Sequence, residues 1–325
     1  MTRLGYQIPN FTYPDVPSEK IFENVIAQAR AAEQAGFDRL FVMDHFYQLP
    51  TLGEPDEAML ECYTLLGALA QHTQKMRLAS LVTGNTYRNP ALLAKIITTL
   101  DHVSNGRATL GIGAGWFELE HQALGFPFGT WTERFEKLEE ALKIITAMLR
   151  GEQPSLSGKH YRVSDAINSP PPVAKIPIMI GGSGEKKTLR MVAEYADESN
   201  LIGPIEDVPR KLEVIGQHCE YLGRTREEIK VTKLLLVVIA PSMEQAQRDL
   251  AATAEAKKWP VEKFREIIDN RSDFIMGDPD TVGETLERLA AHGIDGVTMD
   301  LPANAHLPER VSLLGETAAK VFPPD

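Results

Sequence analysis

The sequence predicts an α/β protein built as one (β/α)8 barrel, a TIM barrel, over residues 1–325. Short apolar segments of strand length alternate with longer amphipathic segments of helix length, a pattern that indicates parallel strands joined by helical crossovers. Eight strand segments can be counted, and 325 residues fall within the range that a barrel of this kind fills as a single domain. No linker and no repeat of fixed period divides the chain.

The predicted strands are the apolar runs between the helical segments. They are Leu4–Ile8, Asp38–Met43, Met76–Thr83, Ala108–Ile112, Ile176–Ile180, Glu198–Ile202, Val231–Ile239 and Gly296–Met299. Long insertions follow the fourth strand (113–129), precede the fifth (151–175) and follow the seventh (240–276). Because long connections in compact domains are usually functional or mobile, these insertions are candidates for parts of a binding site.

Residues that favour helix ends flank the amphipathic segments. The expected N-caps of four helices are Ser18, Asn89, Thr130 or Thr132, and Asp278. Gly36 and Gly106 follow the first two of these helices and are expected to end them.

Composition and charge limit the classes of partner. With 34 basic and 45 acidic residues the net charge is −11, which disfavours nucleic acid and anionic membrane surfaces. The two cysteines, Cys62 and Cys219, match no metal spacing and suit a reducing compartment. The N-terminus lacks the apolar core of a signal peptide and no segment has the length of a membrane helix, so a cytoplasmic location is expected.

Polar or glycine-rich residues follow four of the predicted strands. Since the carboxyl ends of barrel strands form the active-site face, these residues are expected to converge. They are Asp44-His45 after the second strand, Thr83 at the end of the third, Gly113-Ala114-Gly115-Trp116 after the fourth, and Gly181-Gly182-Ser183-Gly184 after the fifth. An isolated Asp-His pair is more often structural, but this position favours a functional role for His45.

The glycines have two interpretations. The segment Gly181–Gly184 lies between a strand and a helix, where free amides favour a phosphate, although a plain tight turn has the same composition. It matches neither the Walker loop nor the Rossmann fingerprint. The alternating Gly111, Gly113 and Gly115 either pack against a neighbouring strand or form a flat floor for a ring.

Motifs in a fixed order give the sequence a family resemblance. They are AEQAGFDRLFVMDHF, RLASLVTGNTYRNPALLAK, GRATLGIGAGWFELEHQALGFPF followed by ERFEKLEEAL, and PIMIGGSGEKKTLRMVAEYAD. In this order the chain resembles the luciferase-like monooxygenase superfamily, and within it the oxidoreductases that depend on coenzyme F-420 (F420, a deazaflavin). The resemblance extends over nearly the whole chain.

The resemblance implies a deazaflavin over the carboxyl-terminal mouth of the barrel. On that basis Asp44 and His45 approach the ring, Thr83 and the backbone of Gly113, Ala114 and Gly115 shape its bed, and Gly181 to Gly184 hold the phosphate of its tail. The resemblance also implies a non-proline cis peptide in the third strand, expected between Ser80 and Leu81, and both residues are therefore expected at the cofactor.

One departure from the family concerns the substrate. The sugar-phosphate dehydrogenases of this superfamily have a catalytic Glu where this chain has Trp116, and their aromatic residue after the Asp-His pair aligns with Leu49. Sugar phosphate is therefore not the expected substrate. Trp116 and His121 are predicted to contact an apolar or planar molecule instead, with plain packing of Trp116 as the alternative.

The resemblance predicts hydride transfer between C5 of the deazaflavin and a small organic substrate. His45 is the first candidate for the proton carrier, Asp44 is expected to orient it, and Glu118 is the next candidate, with Glu120 and His121 as further residues of the same loop. A homodimer is expected from the family.

Three alternatives stay open. The first keeps the fold and replaces the deazaflavin by FMN, which would make the protein a monooxygenase. The second is a metal-dependent barrel hydrolase, but the first strand, LGYQI, carries no histidine and no metal site is predicted. The third is a protein that binds the cofactor without catalysis, because a fold does not determine a function.

Overall fold

The computed structural model describes residues 4–323, which form a barrel of parallel strands surrounded by helices. Residues 1–3 and 324–325 of the predicted domain lie outside the described part. The strands are β1 (Leu4–Ile8), β2 (Arg39–Val42), β3 (Arg77–Ser80), β4 (Thr83–Gly84), β5 (Leu110–Gly113), β6 (Leu156–Ser157), β7 (Arg162–Val163), β8 (Ile178–Gly181), β9 (Glu198–Leu201), β10 (Lys230–Ile239), β11 (Phe274–Gly277) and β12 (Gly296–Asp300).

The order of the strands closes the barrel. Around the sheet they follow β3, β2, β1, β12, β10, β9, β8, β5 and β4, and all of these pairs are parallel. β3 and β4 share one position, because β3 pairs with β2 and β4 pairs with β5. A bridge between Leu78 and Ala108 joins that position to the segment before β5. The (β/α)8 barrel prediction is confirmed.

Helices cover the outside of the barrel. They are α1 (Ile21–Gln34), α2 (Cys62–Leu69), α3 (Pro90–Val103), α4 (Glu118–Leu124), α5 (Trp131–Leu149), α6 (Thr188–Tyr195), α7 (Val208–Tyr221), α8 (Met243–Ala256), α9 (Val261–Asp269), α10 (Pro279–Ala291) and α11 (Pro308–Ala319). None of them is long and apolar enough to cross a membrane.

Three of the four predicted N-caps are confirmed. The side chains of Asn89, Thr130 and Asp278 accept hydrogen bonds from the first amides of α3, α5 and α10. The cap at Ser18 is wrong, because Ser18 begins a short 3-10 turn after Pro17 and α1 starts only at Ile21. The turn uses the backbone carbonyl of Pro17, so no hydroxyl cap is formed.

The three predicted insertions contain regular structure of their own. α4 follows β5, and the antiparallel pair β6 and β7 precedes β8. The insertion after β10 contains α8, α9 and β11, and β11 pairs with the far half of β10 through Leu236 to Ile239. The order of the barrel strands continues past all three insertions.

The third strand is interrupted next to the barrel mouth. The prediction of one strand over Met76–Thr83 is corrected, because Leu81 and Val82 separate β3 from β4. The cis peptide joins Leu81 and Val82, one residue later than predicted. The ladder with β2 continues through the amide of Leu81, which donates to the carbonyl of Val42 at 2.9 Å, so the chain leaves the ladder only after Leu81.

The barrel separates two buried surfaces. Side chains that face outward, such as Tyr6, Leu40 and Leu78, pack in the large core beneath the helices. Inside the barrel, Phe41, Ala79 and Met179 form a smaller apolar cluster. The carboxyl-terminal ends of the strands rise above this cluster and form the mouth, where the predicted site residues lie.

Candidate active site

His45 lies just beyond β2 at the mouth of the barrel and is 13% exposed. Its Nδ1 is 2.9 Å from Oε2 of Glu120, a fully buried carboxylate on α4. A carboxylate only accepts hydrogen bonds, so Nδ1 carries the proton and donates it to Glu120. Nε2 has no protein hydrogen-bond partner within residues 4–323, which leaves it free for a ligand.

Glu120 is fixed by four donors. Oε1 accepts from the amides of Phe46 at 2.5 Å and Tyr47 at 2.9 Å, and Oε2 accepts from His45 and from the Tyr87 hydroxyl at 2.5 Å. Burial alone would raise the pKa of Glu120, but these hydrogen bonds outweigh burial and hold that pKa below its usual value. Glu120 is therefore ionised at neutral pH and holds the orientation and tautomer of His45.

Asp44 is buried beside the same strand end and forms an ion pair. Its two oxygens accept from Arg88 at 2.7 and 2.9 Å, and Oδ2 also accepts from the Gly84 amide at 3.0 Å. Burial raises the pKa of Asp44, while Arg88 and the Gly84 amide oppose that rise. Because the guanidinium binds both oxygens, Asp44 links the end of β2 to β4 and the segment after it. This link fixes the backbone that carries His45.

Two aromatic side chains form a wall beside His45. The rings of Trp116 and Phe117 each meet the imidazole edge to face at 5.8 Å. Trp116 is 54% exposed, so its indole faces the open mouth, whereas Phe117 is buried below it. An exposed indole next to a free imidazole nitrogen is suited to a planar or apolar ligand.

The structure places two other predicted residues away from His45. Glu118 lies on the exposed side of α4, where it accepts a hydrogen bond from Gln122 at 2.9 Å. His121 is buried, with Nδ1 against the Phe117 carbonyl at 2.8 Å and Nε2 against the Thr86 hydroxyl at 2.7 Å. Both ring nitrogens of His121 are used within the protein, and burial lowers its pKa, so it is neutral and has no nitrogen left for a substrate.

Three hydroxyl groups form a chain beneath the mouth. Tyr63 and Thr83 are 2.6 Å apart, Thr83 and Ser80 are 2.5 Å apart, and Ser80 donates to the Gly111 carbonyl at 3.1 Å. Because the carbonyl only accepts, the protons run from Tyr63 through Thr83 to Ser80. The predicted residues Ser80 and Thr83 are thus brought together, and their hydroxyls fix the break between β3 and β4.

Val82 occupies the space that the glycines leave open. A Cβ on Gly113 would lie 2.9 Å from Val82, one on Gly181 would lie 2.7 Å from it, and one on Gly111 would lie 2.0 Å from the Ser80 carbonyl. Close packing, the first of the two interpretations, therefore accounts for these glycines. Val82 follows the predicted residue Leu81, lies beside Gly113 and Gly181, and forms part of the floor of the mouth, whereas a Cβ on Gly115 would lie 2.7 Å from the Thr86 side chain.

The loop after β8 has amides available for an anion. The Gly182 amide is already bound to the Asn200 carbonyl at 3.0 Å, and the Ser183 hydroxyl is bound to the backbone of Ile202. Within residues 4–323 the amides of Ser183 and Gly184 make no hydrogen bond. Of the predicted amide donors, Ser183 and Gly184 therefore remain available, and Gly182 does not.

A metal centre is not found in the described part of the chain. Among residues 4–323, no group of three or more His, Cys, Asp or Glu side chains is arranged to hold a metal ion. The carboxylates near the mouth bind Arg88, His45 and backbone amides instead.

Sequence reasoning missed the partners that fix the site. Arg88 and Tyr87 were not singled out, and Glu120 was considered only after Glu118. Their signal is weak: Tyr87 and Arg88 stand three and four residues after the end of β4, and Glu120 stands two positions beyond Glu118 on a short helix. Two positions along a helix turn a side chain to nearly the opposite side, so only the phase of α4 decides which glutamate reaches His45.

Comparisons with known proteins agree with the fold and the family resemblance. The family model for the luciferase-like monooxygenases matches residues 2–296. An F420-dependent glucose-6-phosphate dehydrogenase of Microbacterium testaceum is 31% identical over 309 residues, which cover 89% of this chain and 88% of the relative.

More distant proteins share the same barrel. The FMNH(2)-dependent dimethylsulfone monooxygenase of Pseudomonas putida is 24% identical, and the match covers 88% of this chain and 84% of the monooxygenase. Among solved structures, an F420-dependent secondary alcohol dehydrogenase in complex with an F420-acetone adduct superposes with a TM-score of 0.79 at 18% identity, over 98% of this chain and 99% of the other.

Proposed function

Because the chain belongs to the luciferase-like monooxygenase family, we propose that it is an F420-dependent oxidoreductase. It transfers a hydride between C5 of the deazaflavin and a small organic substrate. Relatives named as F420-dependent dehydrogenases support this activity. The observation that carries the proposal is the free Nε2 of His45, held at the barrel mouth by Glu120.

The residues at the mouth fit the cofactor. The unpaired amides of Ser183 and Gly184 would bind the phosphate of its tail, since free backbone amides before a helix favour an anion. Val82 and the backbone of Gly113 to Gly115 would support the ring, and Ser80, Leu81 and Thr83 shape that support from below. Asp44 acts through Arg88 and Gly84 and positions the strand end.

In this reaction the deazaflavin, when bound, supplies or accepts the hydride. His45 moves the accompanying proton. With Nδ1 donating to Glu120, its Nε2 accepts a proton from a substrate hydroxyl, or returns one to a carbonyl oxygen in the reverse direction. The ionised Glu120 stabilises the imidazolium that forms. Trp116, edge to face with His45, forms one side of the substrate position.

Titration with both cofactors tests the proposal. The protein is titrated with F420 and, separately, with FMN, and binding is followed by the fluorescence of each cofactor. We expect F420 to bind more tightly. Deazaflavins react poorly with oxygen, so the cofactor decides between the two activities. Tighter binding of FMN would instead support a monooxygenase activity, as in the FMN-dependent relative.

The role of His45 is tested by His45→Ala in the F420-loaded enzyme. General acid–base catalysis contributes about 10²–10⁴-fold to a rate, so kcat is expected to fall by at least about 100-fold. The dissociation constant of F420 should change much less, since the tail and ring retain their other contacts. Unchanged turnover in this variant would show that His45 does not move the proton.

The remaining expectations stay proposals. We propose one domain for the whole chain, a cytoplasmic location and a homodimer. The dimer is supported by exposed apolar side chains on one face of α3, where Leu92 is 54% and Val103 is 44% exposed. Analytical ultracentrifugation of the protein and of Leu92→Glu tests it, with a monomeric variant as the expected result.

A further inference from the structure

Asp300 is the last residue of β12 and faces the interior of the barrel at its mouth. Thr298 lies two residues earlier on the same side of the strand. Its hydroxyl is inside the barrel and accepts a hydrogen bond from the side-chain nitrogen of Asn200 at 3.2 Å. In the sheet Asp300 pairs with Gln7 on β1 and Leu236 on β10. Only β1 separates β12 from β2, so Asp300 and His45 lie at the same end of the barrel.

One oxygen of the Asp300 carboxyl group is buried without a hydrogen-bond partner among residues 4–323. The residue is 3% exposed, and the oxygen is Oδ1. On the neighbouring strand the Oε1 atom of Gln7 is also buried and unpaired, while the Gln7 amide nitrogen donates to the Leu81 carbonyl at 3.4 Å. Two unsatisfied oxygens thus lie on adjacent strands, at the same level of the barrel.

An unpaired buried acid is unfavourable for folding. A buried polar group without a hydrogen bond costs about 1–3 kcal/mol, so each one calls for an explanation such as a bound water, an ion or a functional role. Burial raises the pKa of Asp300 well above its usual value, with Arg271 opposing and Asp273 adding to the rise. The raised pKa favours the protonated carboxyl group, which can both accept and donate a hydrogen bond.

The cations around the mouth are already paired. Arg88 binds Asp44 and Glu61, Lys257 binds Glu57, and Arg271 and Lys233 both bind Asp273. An anionic substrate would find no unpaired cation beside Asp300 among these four groups. The exposed Lys186 and Lys187 follow the loop after β8, which the proposed function assigns to the tail of the cofactor.

We propose that Asp300 and Gln7 form the polar end of the substrate pocket and that the substrate is an uncharged molecule with a hydroxyl or amide group. This inference rests on the proposed function for its reaction, but its test needs no cofactor. The hydroxyl donates to one unpaired oxygen and accepts from the neutral acid, while the apolar part of the substrate lies against Trp116.

A binding panel tests the pocket on the protein without cofactor. Uncharged cyclic and branched alcohols and amides are compared with carboxylates and phosphates of similar size, including glucose 6-phosphate, by ligand-detected NMR. We expect uncharged members to bind and anionic ones not to bind. Binding by anions alone, or by no member of the panel, overturns the proposal.

Variants then assign the binding to Asp300. Asp300→Leu should weaken the best uncharged ligand by about tenfold, the effect of losing one hydrogen bond, whereas Asp300→Asn should stay within about threefold of the wild type. Thr298→Val, one level below on the same strand, is the matched control and should bind normally. Unchanged affinity in a folded Asp300→Leu overturns the proposal.

A purely structural role gives a different result. If Asp300 only donates to Gln7, Asp300→Leu lowers the melting temperature and leaves affinity unchanged. F420 affinity, measured on the same variants, separates the two proposals. Failure of the wild type to bind F420 contradicts the oxidoreductase alone, while normal F420 binding with unchanged alcohol affinity in Asp300→Leu contradicts the pocket alone.

Discussion

The chemistry of His45 depends on which of its ring nitrogens the protein holds. The ionised Glu120 holds Nδ1, so Nε2 faces the mouth in the form that accepts a proton. Glu120 is 75 positions away in the chain, and it reaches His45 only because α4 folds back over the end of β2. The second strand and its Asp44-His45 end were predictable from local sequence, but this partner was not.

Glu120→Gln tests this arrangement. The amide can donate to Nδ1, which would move the proton of the neutral imidazole to Nε2, and the charge that stabilises the imidazolium is lost. We expect kcat to fall by about 100-fold or more, as when the orienting carboxylate of a catalytic triad is replaced by its amide. Steady-state kinetics on the F420-loaded enzyme measure the effect.

Glu118→Gln is the matched control for that variant. Glu118 lies on the exposed side of the same helix and touches Gln122, so its replacement should leave kcat unchanged. The sequence alone favoured Glu118. A large loss in Glu118→Gln together with normal turnover in Glu120→Gln would restore that first choice and contradict the role of Glu120.

Asp300 makes a prediction for the pH dependence of stability. Its pKa is raised in the folded state, so its contribution to stability is present below the unfolded pKa of about 4 and is lost as the pH rises towards the folded pKa. The charged groups that act on it are Arg271, which opposes the rise, and Asp273, which adds to it. Relative to Asp300→Asn, the wild type should lose up to about 1.4 kcal/mol per pH unit above pH 4.

Urea unfolding at several pH values measures this difference. Asp295 at the other end of β12 is the control with the opposite sign. Burial would raise its pKa, but the Val231 amide and Arg226 outweigh burial and lower it. The stability advantage of the wild type over Asp295→Asn should therefore grow as the pH rises towards the unfolded pKa of about 4 and stay level above it. A pH-independent difference for Asp300→Asn would show that Asp300 is ionised in the folded protein.

Among the elements, regular strands and capped helices were predictable, and the irregular third strand was not. Asn89, Thr130 and Asp278 cap helices as their local sequence indicates. The break after β3 depends on contacts with β5 and β8, because Val82 fills the space over Gly113 and Gly181 at the ends of these strands. The two-residue strands β6 and β7 are too short for a periodic pattern, and the apolar run of β11 lay hidden inside a longer insertion.

A substitution at Gly111 tests how closely β5 packs against β3. A Cβ at this position would lie 2.0 Å from the Ser80 carbonyl, and backbone cannot move away as a flexible side chain can. Gly111→Ala should therefore lower the free energy of unfolding by about 1–3 kcal/mol or more. Because Ser80 and Thr83 support the mouth, F420 affinity should fall as well.

Gly283 in α10 provides the control for that substitution. No atom lies within 4 Å of a Cβ at this position, and alanine is the better helix former by about 0.5–1 kcal/mol. Gly283→Ala should therefore stabilise the protein and leave F420 affinity unchanged. Chemical denaturation of both variants measures the contrast, and equal stability of the two alanine variants would contradict the close packing at Gly111.

At the scale of the whole molecule, the alternation of strands and helices was enough to predict the barrel. What holds opposite walls of the barrel together was not predictable, since the residues are far apart in sequence. Arg39 on β2 and Glu198 on β9 lie four strands apart around the sheet and form a two-bonded ion pair through the interior, with one bond of 2.8 Å. Arg39 is 1% exposed and stacks near the ring of Phe41.

This ion pair makes the last prediction. Arg39→Met leaves Glu198 as a buried charge without its partner, which should cost about 3–5 kcal/mol in the free energy of unfolding. The double variant Arg39→Met with Glu198→Leu removes both charges and should recover most of that loss, because a buried pair is often no better than apolar side chains of similar volume. Equilibrium urea unfolding of the wild type, both single variants and the double variant gives the coupling energy. Additive losses, with the double variant the least stable of the four, would show that the pair does not join the two walls of the barrel.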